Sequence, residues 1–209
     1  QSNSKTNSIK MKRIFYTLAL IPFFWSCKPV SSVSSTQKQE VRVAINLNEI
    51  NDDKVLVTVQ APAINVNEIT YHIPKTVPGT YSEDNYGKFI NDLKAFDKKG
   101  NLLAVKKTDD NSWSIANAKT LDKITYLVND SFDTEKGGKF GGDDVFSPAG
   151  SNILVGENIM LNTHCFVGYF TNFMTIPYNV TISHPEALWG STSMTDQDPS
   201  ATSDTFITS

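Results

Sequence analysis

The sequence predicts an all-β protein, an antiparallel β-sandwich or curved open sheet of about nine short strands. Three observations carry this expectation. Apolar and polar residues alternate in segment after segment, the side-chain period of a strand with one buried face. Clusters of Asn, Asp, Gly and Pro punctuate those segments at the short intervals of a sandwich. No long segment carries a 3.6-residue apolar period over three turns, and no repeat of fixed length is visible.

The elements follow in order. Val41, Val43, Ile45 and Leu47 form a first alternating strand. Asn51-Asp52-Asp53 turns the chain into a second, Val55, Val57 and Val59, and Pro62 ends it. Ile69, Tyr71 and Ile73 make a third strand. The stretch Ile73-Pro74-Lys75-Thr76-Val77-Pro78-Gly79-Thr80-Tyr81 must then leave the sheet, because Pro74 and Pro78 cannot donate to a ladder. Pro78-Gly79 suits the centre of a type II turn, where Gly takes positive φ at little cost. With Tyr81 at its end, this bend reads either as a binding rim or as a plain connector.

Tyr86 to Phe96 is ambiguous at first, but its second half reads as a strand. Asp97-Lys98-Lys99-Gly100-Asn101 is a hairpin turn leading to Leu103 and Val105. After a polar turn at 109–112 come Trp113 and Ile115 on one strand face. Leu121, Ile124, Tyr126 and Val128 form the next strand. Residues 130–151 change character, with Gly137-Gly138 and Gly141-Gly142 flanking Lys139-Phe140, and Asp143-Asp144 following. This reads as a long mobile loop or a lid, with metal binding by the paired aspartates as the alternative. A phosphate cradle would need a Lys-Ser/Thr ending and a strand-to-helix setting, and a calcium loop would need alternating ligands. Ile153, Val155, Ile159 and Leu161 return to strand-like sequence. An aromatic-rich segment runs from Phe166 to Phe173, and Tyr178, Val180 and Ile182 make the last strand. His184-Pro185 ends it, with Leu188-Trp189 expected to pack behind.

Length and composition allow one globular domain with tails: 209 residues, 39% hydrophobic and 20% charged. A formal charge of -3 and the lack of a basic stripe with interleaved aromatics exclude nucleic acid as the expected partner. Residues 1–10 are polar and featureless and stand apart from the fold. Met11-Lys12-Arg13 followed by the apolar run Ile14 to Trp25 has the layout of an export signal over residues 11–26. Ser26-Cys27 closes it as in a bacterial lipoprotein, so Cys27 is the expected lipid anchor to a membrane at the periplasm or cell surface. Several acyl chains give firm anchoring. The alternative is an ordinary cleaved signal with an incidental Cys. Residues 27–39 read as a flexible tether, 40–190 as the β domain, and 191–209 as a continuation cut short. Cys165 is then left without a partner, which excludes a disulfide framework.

Side chains that could carry chemistry are few. None of His72, His164 and His184 has a second His four residues on, the helical spacing of many zinc hydrolases. His164-Cys165 reads as core or, alternatively, as half of a soft-metal site. There is no Gly-x-Ser-x-Gly elbow. Glu83-Asp84 and Asp109-Asp110 lie in turn-like stretches.

From Pro74 to Tyr81 and onward, the sequence resembles the N-terminal domain of the glycyl aminopeptidases, family sixty-one of the zinc metallopeptidases. That domain carries a Pro-x-Trp-x-Pro-Gly-Ser-Tyr stretch. Pro74, Pro78, Gly79 and Tyr81 match it, with Thr80 for Ser and Thr76 for Trp. Asn85 stands for the family's Asp, and Lys88 for its Arg. Phe96-Asp97, the Gly100 turn, Lys106 and Trp113 follow in the family's order, as do Pro185 and Trp189 near the domain end.

The resemblance implies a non-catalytic β domain that packs on a downstream catalytic domain absent from this chain. It implies that Pro78, Gly79, Thr80, Tyr81 and Tyr86 form a cleft-wall or interdomain loop. Zinc, a His-Glu-x-x-His helix and the peptide substrate would belong to the missing domain, so no catalytic or metal residue and no cofactor is assigned here. The alternative is a freestanding lipid-anchored β-sandwich that binds glycan or protein at the cell surface.

Overall fold

The computed structural model describes residues 39–132 and 149–208. Cys27, the leader, most of the tether and the glycine pairs of the 130–151 loop lie outside the described residues. Thirteen strands occur among the described residues, so the expected count of about nine is too low.

Strand β1 (Val41–Asn51) pairs with β2 (Lys54–Gln60) as an antiparallel hairpin. Its turn places Asp52 and Asp53 at φ 53 and 50, the double left-handed geometry of a type I′ turn, which short polar side chains tolerate. β3 (Glu68–His72) leads into the prolyl bend. A 3₁₀ turn, Tyr86–Phe89, then starts β4 (Ile90–Asp97). Within β4 the register slips between Asn91 and Lys94, where Asp92 takes φ 52. This bulge breaks the alternation and explains why the segment is ambiguous in sequence.

The Gly100 turn is followed by β5 (Leu102–Leu103) and β6 (Val105–Asp109). β5 pairs with β4, whereas β6 pairs with β7 (Ser112–Ala116) in another sheet. One segment therefore changes sheets at Ala104, a corner of the sandwich. β8 (Leu121–Asn129) completes this half of the chain. The expected Ile153–Leu161 strand is a small hairpin, β9 (Asn152–Leu154) and β10 (Asn158–Met160), turning at Gly156 with φ +81. A single helical turn, Thr163–Phe166, then precedes β11 (Tyr169–Phe170), β12 (Tyr178–Ser183) and β13 (Ser203–Ile207).

The strands assemble into a seven-stranded sheet, ordered β13-β12-β1-β2-β8-β4-β5, and a four-stranded sheet, ordered β11-β3-β7-β6. The all-β, sandwich-like expectation holds, with two corrections. The large sheet is mixed, because β12 runs parallel to β1. Turn signals fix only hairpin neighbours; the direction of a strand arriving from 137 residues away leaves no local mark. Second, the fold does not close at residue 190. β13 pairs with β12 from Ser203 to Ile207, inside the stretch expected to be a mere continuation.

The core lies between the sheets. The inward residues of β1 (Val41, Val43, Ile45), β2 (Val55, Val57, Val59) and β8 (Ile124, Tyr126, Val128) are almost fully buried. Each such side chain contributes about 1.5–3 kcal/mol through removal from water. From the facing sheet come Ile69, Tyr71, Trp113, Ile115 and Phe170. A hydrogen-bond chain crosses this core. The Gly168 amide donates to the Tyr71 hydroxyl at 3.0 Å, the Tyr71 and Tyr126 hydroxyls share a 2.9 Å bond, and Tyr126 donates to the Phe166 carbonyl at 2.6 Å. Burial pushes both phenols to titrate well above their ordinary range.

Candidate functional site

The prolyl bend leaves the small sheet at Ile73, whose amide still donates to the Asn111 carbonyl at 2.9 Å. At the tip, the Thr80 amide donates to the Val77 carbonyl at 3.2 Å, and the Thr80 hydroxyl donates to the same oxygen at 2.8 Å. Gly79 has φ +97, the value a type II turn demands after Pro78. The next residue, Tyr81, is also left-handed, at φ 57, and its side chain is fully exposed (101%). An L-residue other than Asn or Asp adopts this geometry at a cost of about 1 kcal/mol or more.

The bend is held from below. Asp84 is buried and accepts from the Ser82 hydroxyl and the Tyr86 hydroxyl, each at 2.8 Å. Asn85 takes φ 51, its amide donates to the Lys75 carbonyl at 3.0 Å, and its side-chain oxygen accepts from Asn111 at 2.9 Å. The Asn111 side-chain oxygen in turn accepts from the Gly87 amide at 2.9 Å. At the surface Lys75 and Glu83 form an ion pair at 2.8 Å. Asp84 and Asn111 thus act as buried pins, while Pro78, Gly79, Thr80 and Tyr81 form the projecting tip.

Tyr86 is the exception among the five loop residues. It is completely buried, with its ring edge-on to His164 at 4.6 Å. Burial first, and then the Asp84 carboxylate beside it, raise its pKa well above the ordinary phenol range. The structure therefore corrects its role. Tyr86 anchors the loop from inside and presents no surface to a cleft, because its hydroxyl satisfies a buried carboxylate.

The histidines are dispersed. His164 bonds the Ala149 carbonyl through Nε2 at 2.9 Å, and the neighbouring Cys165 is buried, its thiol pushed up to about 12 by burial. His72 bonds Ser112 and Thr171 at 3.0 and 2.9 Å and stacks on Tyr169, and burial lowers its pKa against an opposing pull from Asp109. His184 is buried at the end of β12, with Nδ1 3.0 Å from the Pro185 carbonyl and Nε2 3.3 Å from Asp204. No three His, Cys, Asp or Glu side chains come together as a metal-holding group among the described residues. The donors among the described residues therefore do not assemble the set a zinc centre needs.

A second feature is invisible to strand counting. A groove of about 530 Å³ lies over β12 and β13, with Trp189 on its rim. Trp189 was expected to pack behind the last strand, but it is 86% exposed. The one legible signal is the alternation Tyr178, Val180, Ile182 at the end of the domain, which demands a cover that the local sequence does not supply.

Among curated proteins, no relative matches this sequence. Among solved structures, the chain is similar to an aminopeptidase N family protein from Idiomarina loihiensis, with a TM-score of 0.63 at 18% identity. The similarity covers 80% of this chain and 27% of that one, and at this identity it speaks to the fold alone. The family model described as the Peptidase M61 N-terminal domain matches residues 42–209, which takes in the prolyl bend, both sheets and β13. The chain belongs to the Peptidase M61 N-terminal domain family.

Proposed function

We propose that this chain is the non-catalytic N-terminal domain of a lipid-anchored zinc metallo-aminopeptidase, and that its bend at 78–81 helps to wall the cleft of a downstream catalytic domain. The observation that carries the reading is the family match over residues 42–209. The geometry supports the wall role in a specific way. Tyr81 is a fully exposed aromatic on a backbone pinned by buried Asp84 and Asn111. A rigid display of this kind loses little entropy when it meets a substrate or a neighbouring domain. Zinc, its ligands and the general base would belong to the catalytic domain, where the metal would supply water activation for peptide hydrolysis. The lipid anchor is Cys27, at the end of the apolar run that opens with Met11-Lys12-Arg13. It holds the protein to a bacterial membrane outside the cytoplasm.

The test compares the 209-residue chain with the product of the whole gene on a peptide with N-terminal glycine. Only the longer product should hydrolyse it, and a chelator should stop the reaction. Chelator-sensitive hydrolysis by the 209-residue chain would sink the proposal, as would a whole gene without a His-Glu-x-x-His motif. Tyr81→Ala in the longer product should raise KM with thermal stability unchanged. Labelling with a fatty-acid analogue in cells should disappear in Cys27→Ser.

A further inference from the structure

The inner face of the large sheet runs on past its cover. Parallel register aligns Val41, Val43 and Ile45 of β1 with Tyr178, Val180 and Ile182 of β12, so the second trio shares the core face. Antiparallel register then sets Phe206 of β13 opposite Val180. The four-stranded sheet meets the large one at β8, where Tyr71 packs on Tyr126. In strand order β8 is separated from β12 by β1 and β2. The face formed by Tyr178, Val180, Ile182 and Phe206 is therefore left as the floor of the groove.

Two further details mark the groove as an incomplete interior. Its margin carries large apolar side chains in water, Trp189 at 86% and Met194 at 43% exposure. The Tyr178 hydroxyl is buried with no hydrogen-bond partner among the described residues, and buried hydroxyls seldom go unpaired. Apolar side chains gathered round a concave floor offer a surface that a partner can cover. Glu157 and Asp204 are its lining carboxylates, Asp204 lying 3.3 Å from the lining His184, and among the described residues no Lys or Arg lines it.

We propose that this groove is the seat of the catalytic domain, which lays an apolar element, edged by Lys or Arg, between Trp189 and the β12–β13 face. The proposal rests on the peptidase reading above and adds which face of this domain is covered. Two observations choose the occupant. β13 ends at Ile207 and Thr208 lines the groove, so polypeptide continuing from there leaves along the groove's own edge and meets it at high effective concentration. The Glu157 carboxylate in the lining matches a cationic edge on the partner.

Hydroxyl-radical footprinting read by mass spectrometry tests this on the 209-residue chain and on the whole-gene product. Both samples are also assayed for chelator-sensitive hydrolysis of a glycyl peptide. Trp189 and Met194 should oxidise about tenfold more slowly in the longer product, as expected of buried anchors. Met174, exposed and outside the groove, should react equally in both. Trp189→Asp in the longer product should return Met194 to the rate of the short chain. A hydrolysing product in which Trp189 and Met194 react at the short chain's rate overturns the docking face and leaves the peptidase reading standing. Protection without any peptidase activity overturns the choice of partner. Protection that appears in the short chain as its concentration rises identifies a second copy as the occupant, and likewise overturns the proposal.

Discussion

Replacing Tyr71 by Phe removes one oxygen from the middle of a buried relay. The direction of that relay follows from its ends. The Gly168 amide can only donate, at 3.0 Å, and the Phe166 carbonyl can only accept, at 2.6 Å. Tyr71 must therefore donate to Tyr126 across the 2.9 Å link. In Tyr71→Phe the Gly168 amide is left buried without an acceptor, and Tyr126 loses a donor. An unsatisfied buried group costs about 1–3 kcal/mol, and a lost hydrogen bond about 1 kcal/mol. A loss of about 2–4 kcal/mol is therefore expected. Tyr126→Phe should cost a similar amount, since it orphans the Phe166 carbonyl and the Tyr71 hydroxyl.

The double variant lacks both hydroxyls and should lose less than the two single losses combined, with a coupling of about 1 kcal/mol or more. Urea unfolding followed by circular dichroism measures all four corners of the cycle. Single variants within about 0.5 kcal/mol of the parent, or strict additivity, would show that the relay does not tie the sheets together.

Three other perturbations follow from the same structure. Tyr71, Tyr126 and Cys165 all have folded pKa values raised above their unfolded values of 10.0, 10.0 and 9.0 by burial. Their protonated forms favour the fold, so this stability is intact below pH 9 and falls as pH rises toward the folded values. Above pH 10 the two phenols together should steepen the loss by about 3 kcal/mol per pH unit, and urea midpoints that stay flat to pH 11 would refute it. Two Gly→Ala changes near the bend should differ for stated reasons. A Cβ at Gly87 would meet the Asp110 carbonyl oxygen at 2.2 Å and should cost about 1–3 kcal/mol, whereas Gly79 has open space and only its positive φ resists, at about 1 kcal/mol. Equal midpoints for the two variants would contradict that contrast. Trp189→Ala should leave the 209-residue chain within about 0.5 kcal/mol of the parent, while Trp113→Ala should cost about 3–5 kcal/mol.

Much of the fold is legible in the sequence because its core strands obey the period of two. Val41, Val43, Ile45 and Leu47, then Val55, Val57 and Val59, and then Ile124, Tyr126 and Val128 lie inward as the alternation demands. The prolyl bend is legible for a different reason. Pro74 and Pro78 exclude ladder pairing, and Gly79 takes the positive φ that its place after Pro78 implies. What stays hidden depends on partners far away in sequence. β6 is Val105-Lys106-Lys107-Thr108-Asp109, nearly all exposed, and it is a strand because β7 offers it a ladder. β13 shares that origin: its Ser-Asp-Thr start carries no strand signature, and β12 makes it one.

The bend and the groove were hidden to unequal degrees, and the reason is physical. The bend announces itself because its constraint is local, residing in the φ of Pro78 and Gly79. Which of its residues project was not legible, since Tyr81 and Tyr86 are the same residue type five positions apart. Burial separates them: the 3₁₀ turn and Asp84 draw Tyr86 inward toward His164, and the left-handed backbone turns Tyr81 out. That the groove stays open could not be read without topology. Tyr178, Val180 and Ile182 alternate like any core strand, and sequence alone assigns them a covered face. Only the parallel pairing of β12 with β1 shows that they belong to the core face of a sheet wider than its lid of four strands. An alternating strand whose inner face is only partly covered, with Tyr178 and Ile182 half-buried and Val180 at 8% exposure, leaves local pattern and global fold incompletely reconciled. Trp189, at 86% exposure, stands on the margin of this partly covered face and not inside the sandwich.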